Sequence, residues 1–410
     1  MSNPLARADS SESAGLDPAA VKKLVSRLHA MVENKAVPSA QFAIARDGCV
    51  VVEAAAGEFR AAGILQSATP RSLYPAFSTT KAVVSSAVWL LLQDGKLGTA
   101  DRVADHIPEF GANGKQDVLV EHLLTHTAGF PAAPFDPLEW EDRERRLERF
   151  SEWRLDWTPG ERFQYHGLSS MWVLAELIER AGGQDFRTFI RKRIAEPLGL
   201  VDFYVGLPAE ANARVADVEE VGDVPDYKRI RTTGLSISPE MMGADRDMQR
   251  FNRPEIRAVG VPGAGLVANA SSLAMFYQAL LSEGCASDGT RVWQSETLRE
   301  ALRIRTGDLI DPMTRQAANR ALGVVVAGDE KRAFRAFSPA NSPAAFGHAG
   351  AGGQIAWADP ASGLSFVFLT NGFDRDPLVL GLRGIQFSSA AIRCAQPLSR
   401  AKGKGIPNGE

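Results

Sequence analysis

The residues with the clearest capacity for chemistry are Ser78 and Lys81, in the run Phe77-Ser78-Thr79-Thr80-Lys81. A serine hydroxyl is a weak nucleophile and needs a base within reach. A lysine three positions on, at a helix start, shares the serine's face of the helix one turn later. The helix start adds free amides and a positive dipole end, which favour negative charge developing beside the serine. That positive field, together with burial, helps keep the lysine neutral. A base needs this, because a free lysine has a pKa of roughly 10.4. The same spacing recurs in Ser399-Arg400-Ala401-Lys402, but in a polar tail with no apolar helix after it. Ser78 is instead followed by the apolar stretch 82–92, so it is the candidate; the chemistry-free reading is a capped core helix with a surface lysine.

Two further places could complete such a site. Tyr165 follows the turn Thr158-Pro159-Gly160-Glu161-Arg162 and could relay protons between serine, lysine and leaving group. Near the C-terminal end, Gly347-His348-Ala349-Gly350-Ala351-Gly352-Gly353 precedes a predicted strand. Glycines there let a substrate lie close to a strand edge, whose backbone amides can bind an oxyanion.

Other candidates carry less. His122 and His126 stand four apart and could face one metal. Leu-Leu-Thr lies between them, without the glutamate of a His-Glu-x-x-His zinc protease, and no third ligand is evident. They are read as helix-end histidines that satisfy backbone groups, and neither a metal nor an organic cofactor is expected. His166 could tune Tyr165, touch substrate, or simply pack. An aromatic group that includes Phe130, Phe135, Trp153 and Trp157 could wall an apolar acyl or alcohol pocket, or form a small core of its own. No Gly-x-Ser-x-Gly occurs, which argues against the strand-to-helix elbow of an α/β-hydrolase.

Positioning these residues falls to elements with different patterns along the chain. Asp17-Pro18 opens a helical pattern after a polar start that is expected to be loose. Two β-rich runs, 41–45 and 50–54, flank Arg46-Asp47-Gly48, a hairpin signal. From about residue 101 to 260 helical patterns alternate with loops. Asp117 is placed to cap a short helix through His126, further helices are predicted over 171–180 and 186–195, and the 222–262 loop is too long for a simple connection. Short β runs return at 322–327, 354–357 and 364–370, before a helix over 378–394 and a Lys/Gly/Pro-rich tail. Strands at both ends with helices between predict an α/β (α+β) fold, an antiparallel sheet flanked by helices with a mostly helical insert. The division expected is 1–100 plus 261–395 for the sheet domain, 101–260 for the insert and its substrate-shaping loops, and 396–410 for the tail.

Composition narrows the function classes. With 45% hydrophobic and 23% charged residues in 410, a buried core is expected and disorder is not. Basic and acidic residues number 46 and 49, so there is no electrostatic footprint for nucleic acid. The 82–92 stretch falls well short of the roughly 20 residues that span a bilayer. Cys49, Cys285 and Cys394 are widely spaced, form no CxxC pair, and read as idle thiols. The first residues lack a basic region followed by an apolar run, so no secretory signal is read and a cytoplasmic protein is expected.

At Ser78-Thr79-Thr80-Lys81, Tyr165 and His348-Ala349-Gly350 the sequence resembles the serine β-lactamase and penicillin-recognising superfamily. It is most similar to the class C-like branch, which includes family VIII carboxylesterases and D-Ala-D-Ala carboxypeptidases. Gly15-Leu16-Asp17-Pro18, Leu123-Leu124-Thr125-His126-Thr127-Ala128-Gly129, Glu196-Pro197-Leu198-Gly199-Leu200 and Gly265-Leu266-Val267-Ala268 extend the resemblance, in the expected order. It implies Ser78 as the acylated nucleophile, Lys81 as base and Tyr165 as the tyrosine of the Tyr-x-Asn element. His348-Ala349-Gly350 would stand for Lys-Thr-Gly, and the Ser78 and Ala351 amides would form the oxyanion hole.

Two departures from that pattern bear on substrate. Gly167 stands where the Tyr-x-Asn asparagine would be, and His348 replaces the lysine, so an amide-recognising side chain and a permanent cation are both expected to be missing. An ester needs neither. The reading is a serine carboxylesterase acting on small, largely apolar esters, with His348, Gly350, His166, Phe135 and Trp157 touching substrate. Acyl transfer, weak β-lactamase or D-amino-acid peptidase activity, and a non-catalytic binding role remain as alternatives. The expected partner is a small-molecule ester alone, with no nucleic acid and no membrane.

Overall fold

The computed structural model describes residues 5–223, 225–233 and 248–395. Along Ser39–Arg46 and Leu364–Thr370 apolar residues fill successive positions, and every residue of both strands is buried. Successive strand side chains point to opposite faces, so both faces of a sheet built on them must be covered. Phe42, Ile44, Phe366 and Phe368 enter one apolar cluster, while Ala43, Ala45, Val367 and Leu369 enter another. The two strands pair antiparallel within a seven-stranded sheet. Its order is Val325–Val326, Phe346–Gly347, Ile355–Asp359, Leu364–Thr370, Ser39–Arg46, Cys49–Ala61 and Ile64–Ser67. The sheet therefore joins the two ends of the chain, as the β signals at both ends predict. Asp47 and Gly48 take φ of 50° and 73°, the left-handed pair that a tight hairpin needs to match strand twist.

Pro18–Glu33 and Pro377–Ile392 pack on each other and cover one face; Ala270–Leu281 covers the other. Asp17 caps the first of these, its carboxylate accepting from the Ala19 amide at 2.8 Å. Deeper still runs Thr80–Gln93, a helix buried on all sides from Thr80 to Leu91 and packed against Ser169–Gly182. No helix among the described residues is long and apolar enough to cross a membrane.

Several local expectations are corrected. Within the described part of the polar start, residues 6–8 are not loose: Ala8 donates to the Val50 carbonyl and Val50 to that of Ala6, which ties them to the start of the Cys49–Ala61 strand. Asp117 caps nothing and instead pairs with Arg102 on the surface; the helix there is only Val120–Leu124. The 322–327 run contributes just Val325–Val326 to the sheet, because Gly323, at φ 85°, turns tightly against Ser85, where a Cβ would sit 1.9 Å from the hydroxyl. The long middle loop contains Tyr227–Thr232, Met248–Asn252 and Pro254–Val259 as short helices. The 396–410 tail, with its second Ser-x-x-Lys, lies outside the described residues.

One element was not legible in the sequence. Tyr74–Pro75, Leu266–Ala268 and Phe203–Val205 form a three-stranded antiparallel sheet, with the middle strand last in sequence. It ends directly before Ala76-Phe77-Ser78 and so fixes where the serine emerges. Replacing Phe42 by alanine, at the centre of the main sheet, is expected to cost roughly 3–5 kcal/mol. Denaturant unfolding would show this as a lower midpoint at unchanged slope.

Candidate active site

The approach to Ser78 is strained and tied down. Phe77 has φ of 45°, a left-handed value unusual for an aromatic residue, and persists because its surroundings hold it. Its ring meets Phe251 at 5.2 Å and Phe373 at 6.0 Å, both edge-on. Thr80 Oγ1 donates to the Phe77 carbonyl at 2.5 Å and accepts from the Leu266 amide at 2.9 Å. The Ala76 amide donates to the Leu266 carbonyl at 2.8 Å. The turn is thus sewn to the small sheet on both sides, and Ser78 emerges half-buried at the foot of the Thr80–Gln93 helix.

Lys81 is completely buried on that helix. Its Nζ lies 2.8 Å from the Gly167 carbonyl, 2.8 Å from the Gly263 carbonyl and 3.2 Å from Ser78 Oγ. Two carbonyls can take the two N–H bonds of a neutral amine, which leaves its lone pair for the serine proton. Gly167, the position lacking the asparagine side chain, thus contributes through its backbone.

Tyr165 reaches the site on a loop pinned by His126. His126 sits at φ 60°, one residue past the helix turn, not on the helix as its spacing from His122 suggested. Its Nδ1 accepts from the His166 amide at 3.3 Å, its carbonyl accepts from the Gln164 amide at 3.2 Å, and its ring lies tilted against the Tyr165 ring at 4.8 Å. Burial holds its pKa well below the usual range, with Arg320, His166, Lys81 and His348 adding to the effect, so the ring stays neutral. His122 accepts from the Leu119 amide at 3.1 Å. Both histidines satisfy backbone groups. The Tyr165 ring centroid lies 4.9 Å from Lys81 Nζ, and its buried hydroxyl has no hydrogen-bond partner among the described residues.

Ser78, Tyr165, His348, Gly350 and Ala351 together line one cavity of about 320 Å³. Gly350 is extended and pairs with Gln354, and a Cβ on it would fall 2.6 Å from the Ala76 carbonyl. Its lack of a side chain lets the third motif close on the serine turn. Ala351 opens the tight turn that follows and is exposed toward the cavity. His348 Nδ1 donates to the Ala349 carbonyl at 2.6 Å, and burial, reinforced by Arg320 and Lys81, drives its pKa well below the usual range. It is a neutral imidazole.

Three expected substrate contacts are corrected. His166 is fully buried, its Nε2 accepting from the Phe130 amide at 3.1 Å and its Nδ1 donating to the Gln164 carbonyl at 2.7 Å. It braces the loop and does not face the cavity. Phe135 is half-buried and packs against Trp140, Phe150, Trp153 and Trp172, at the edge of the core of the helical region. Trp157 lies edge-on behind His166 at 6.1 Å. Aromatic composition marked this region, but spacing alone does not distinguish a wall from a core.

The apolar wall is built instead by Phe77, Leu168, Met248, Phe251, Phe373 and Leu380. Phe373 follows the last strand of the main sheet, a position that could have been suspected; Met248 and Phe251 carry no comparable sequence signal. Arg320 also lines the cavity, from the turn before Val325–Val326. The expectation of no permanent cation at the third motif is therefore corrected.

A half-buried serine bonded to a buried lysine, a tyrosine over them and a strand edge beside them, on a sheet built from both chain ends, define a serine hydrolase of β-lactamase-like fold. The chain belongs to the family described as Beta-lactamase, whose pattern matches residues 23–387. It is 29% identical over 308 residues to "Esterase/beta-lactamase LipL" of Mycobacterium tuberculosis, covering 72% of this chain and 68% of that protein. A penicillin-binding protein homologue from Caulobacter crescentus superposes with a TM-score of 0.75 at 28% identity, covering 94% of this chain and 98% of that one. A family VIII carboxylesterase does so with a TM-score of 0.75 at 26% identity, covering 92% and 98%.

Burial holds the His166 pKa down at about 4, below the roughly 6.5 of an unfolded histidine. Its contribution to stability is complete above about pH 6.5 and is lost as pH falls through about 4, because the unfolded chain takes up the proton first. In His166→Gln the amide oxygen can still accept from Phe130 but nothing titrates. The drop in melting temperature between pH 7 and pH 5 is expected to be smaller in this variant than in wild type. Gly350→Val, in turn, should lower hydrolytic kcat/KM by at least roughly tenfold by forcing the third motif off the serine turn.

Proposed function

We propose that this chain is a carboxylesterase that hydrolyses small, largely apolar carboxylic esters through an acyl-Ser78 intermediate. The observation that carries this reading is the Lys81 amine held between two carbonyls and the Ser78 hydroxyl, beneath a small cavity with a mostly apolar wall. Lys81, aided by Tyr165, takes the serine proton as Oγ attacks the ester carbonyl. The tetrahedral oxyanion is held by the Ser78 and Ala351 amides, which act most strongly where water is excluded. Tyr165 protonates the departing alkoxide, and the C–O bond to the alcohol breaks. Water, deprotonated by the same pair, then attacks the acyl-serine and releases the acid. No metal or organic cofactor enters this scheme.

Ester rather than amide chemistry follows from what surrounds the pair. Gly167 has no side chain to recognise an amide, and its carbonyl is committed to Lys81. An alkoxide also leaves more readily than an amine. The esterase in the name of the mycobacterial relative and the family VIII carboxylesterase among the solved structures agree with this choice.

Ser78→Ala is expected to abolish hydrolysis of short p-nitrophenyl esters, and wild type to gain the mass of an acyl group when quenched during turnover. Tyr165→Phe should lower kcat by roughly 10²–10⁴ while leaving the acyl-serine detectable. Wild-type hydrolysis by Ser78→Ala, or turnover of a chromogenic cephalosporin faster than of any ester, would overturn the proposal.

A further inference from the structure

The start of the Pro377–Ile392 helix reads Pro377-Leu378-Val379-Leu380-Gly381-Leu382, apolar all the way round. Such a stretch is expected to be covered on every side. Here only part of it is. Leu380 turns toward the cavity at Ser78 and lines its wall, and a Cβ on Gly353, just past the third motif, would fall 3.2 Å from it. Val379 and Leu382 turn outward, 39% and 59% exposed, and a Cβ on Gly381 would meet no atom within 4 Å. The other strongly exposed large apolar residues among the described residues stand singly or, at Ile64 and Leu65, on adjacent positions of an edge strand that face opposite ways.

This outward face borders a groove of about 650 Å³ between the Pro377–Ile392 and Pro18–Glu33 helices. Lys23, Arg27 and Met31 line its other side at four-residue spacing, so they form one stripe. Arg27 is held there by the Gln386 side-chain oxygen, which accepts from Nη1 at 3.1 Å. Neither Arg27 nor Lys23 has a carboxylate within ion-pair distance among the described residues, and no acidic side chain lines the groove. Arg383, the third cation, is turned to Asp374 at 2.8 Å.

Apolar side chains beside unpaired cations, with no carboxylate between them, complement a surface that is apolar at depth and anionic at its rim. Long basic side chains lie along apolar surface and keep their charges in a headgroup layer. A second copy of the chain would instead bring like cations together. We propose that this face docks on an anionic phospholipid surface, with Val379 and Leu382 entering the acyl layer and Lys23 and Arg27 meeting the phosphates. Leu380, on the same turn, then sets the mouth of the cavity beside the layer in which apolar esters dissolve. That delivery role rests on the esterase reading; the docking does not. The proposal revises the expectation of no membrane partner, which rested on the lack of a spanning stretch.

Co-sedimentation with vesicles tests the docking. Wild type is expected to bind phosphatidylglycerol vesicles at least roughly tenfold more tightly than phosphatidylcholine vesicles at low salt, and high salt should shrink the difference. Leu382→Asp and the double variant Lys23→Glu/Arg27→Glu should each weaken that binding by about tenfold or more, with hydrolysis of dissolved phenyl acetate unchanged. 4-Methylumbelliferyl heptanoate should be cleaved faster when carried in phosphatidylglycerol than in phosphatidylcholine vesicles, and Leu382→Asp should lose that difference. No binding, equal binding to both vesicles, or binding unchanged in Leu382→Asp overturns the proposal. So does a concentration-dependent dimer that Leu382→Asp dissociates, which would give the face to a second copy. Docking without faster cleavage would strike the delivery role. If wild type cleaves neither ester, the esterase reading falls, while co-sedimentation still decides the docking.

Discussion

A fully buried amine, held by backbone carbonyls at one nucleophile, is the constraint on which the rest of this structure depends. Lys81 sits on a helix that is enclosed on every side, and its Nζ is satisfied by Gly167 and Gly263 as well as by Ser78. Each of those carbonyls comes from a different part of the chain. The Tyr165 loop must close from the helical region and the 261–265 turn from the sheet-forming half before the lysine is fully bonded. An unsatisfied ammonium or amine in that position would be costly, so the site and the fold are stabilised by the same contacts.

The surrounding architecture explains how chain segments so far apart can be held to that geometry. The two central strands of the main sheet are buried on both faces, which makes Leu364–Thr370 and Ser39–Arg46 rigid supports for the third motif on one side and the serine turn on the other. A single apolar cluster continues from the sheet through the Thr80–Gln93 helix into the Trp140, Phe150 and Trp172 region. The aromatic residues that composition suggested as pocket walls serve mostly here. Packing them inside leaves the cavity wall to residues from late segments, such as Phe251 and Phe373.

Electrostatics in the site follow from the same enclosure. His126 and His348 are buried and lie near the Arg320 guanidinium, and both effects favour the neutral ring. Neutral imidazoles can then act as acceptors, His126 for the His166 amide and His348 for Arg320. The third motif reads in sequence as having lost its charge. In space the charge is present but comes from another turn.

Much of this was legible one residue at a time. Period-2 and helical patterns placed the hairpin, the long strands and most helices, because those depend on local spacing and on which faces are apolar. Ser78, Lys81 and Tyr165 stood out because nucleophile, base and proton relay require specific residue types at short spacing or next to turns. What only tertiary structure decided were the residues whose role depends on which distant neighbour they meet. His166 became a brace, Phe135 and Trp157 became packing, and Arg320 became a wall of the cavity for this reason. The small sheet of Tyr74–Pro75, Leu266–Ala268 and Phe203–Val205 belongs to the same group, since strands of two or three residues carry no period to detect. Sequence by itself determined the chemistry available; long-range packing determined which side chains could reach it, because burial and approach are properties of contacts and not of residues.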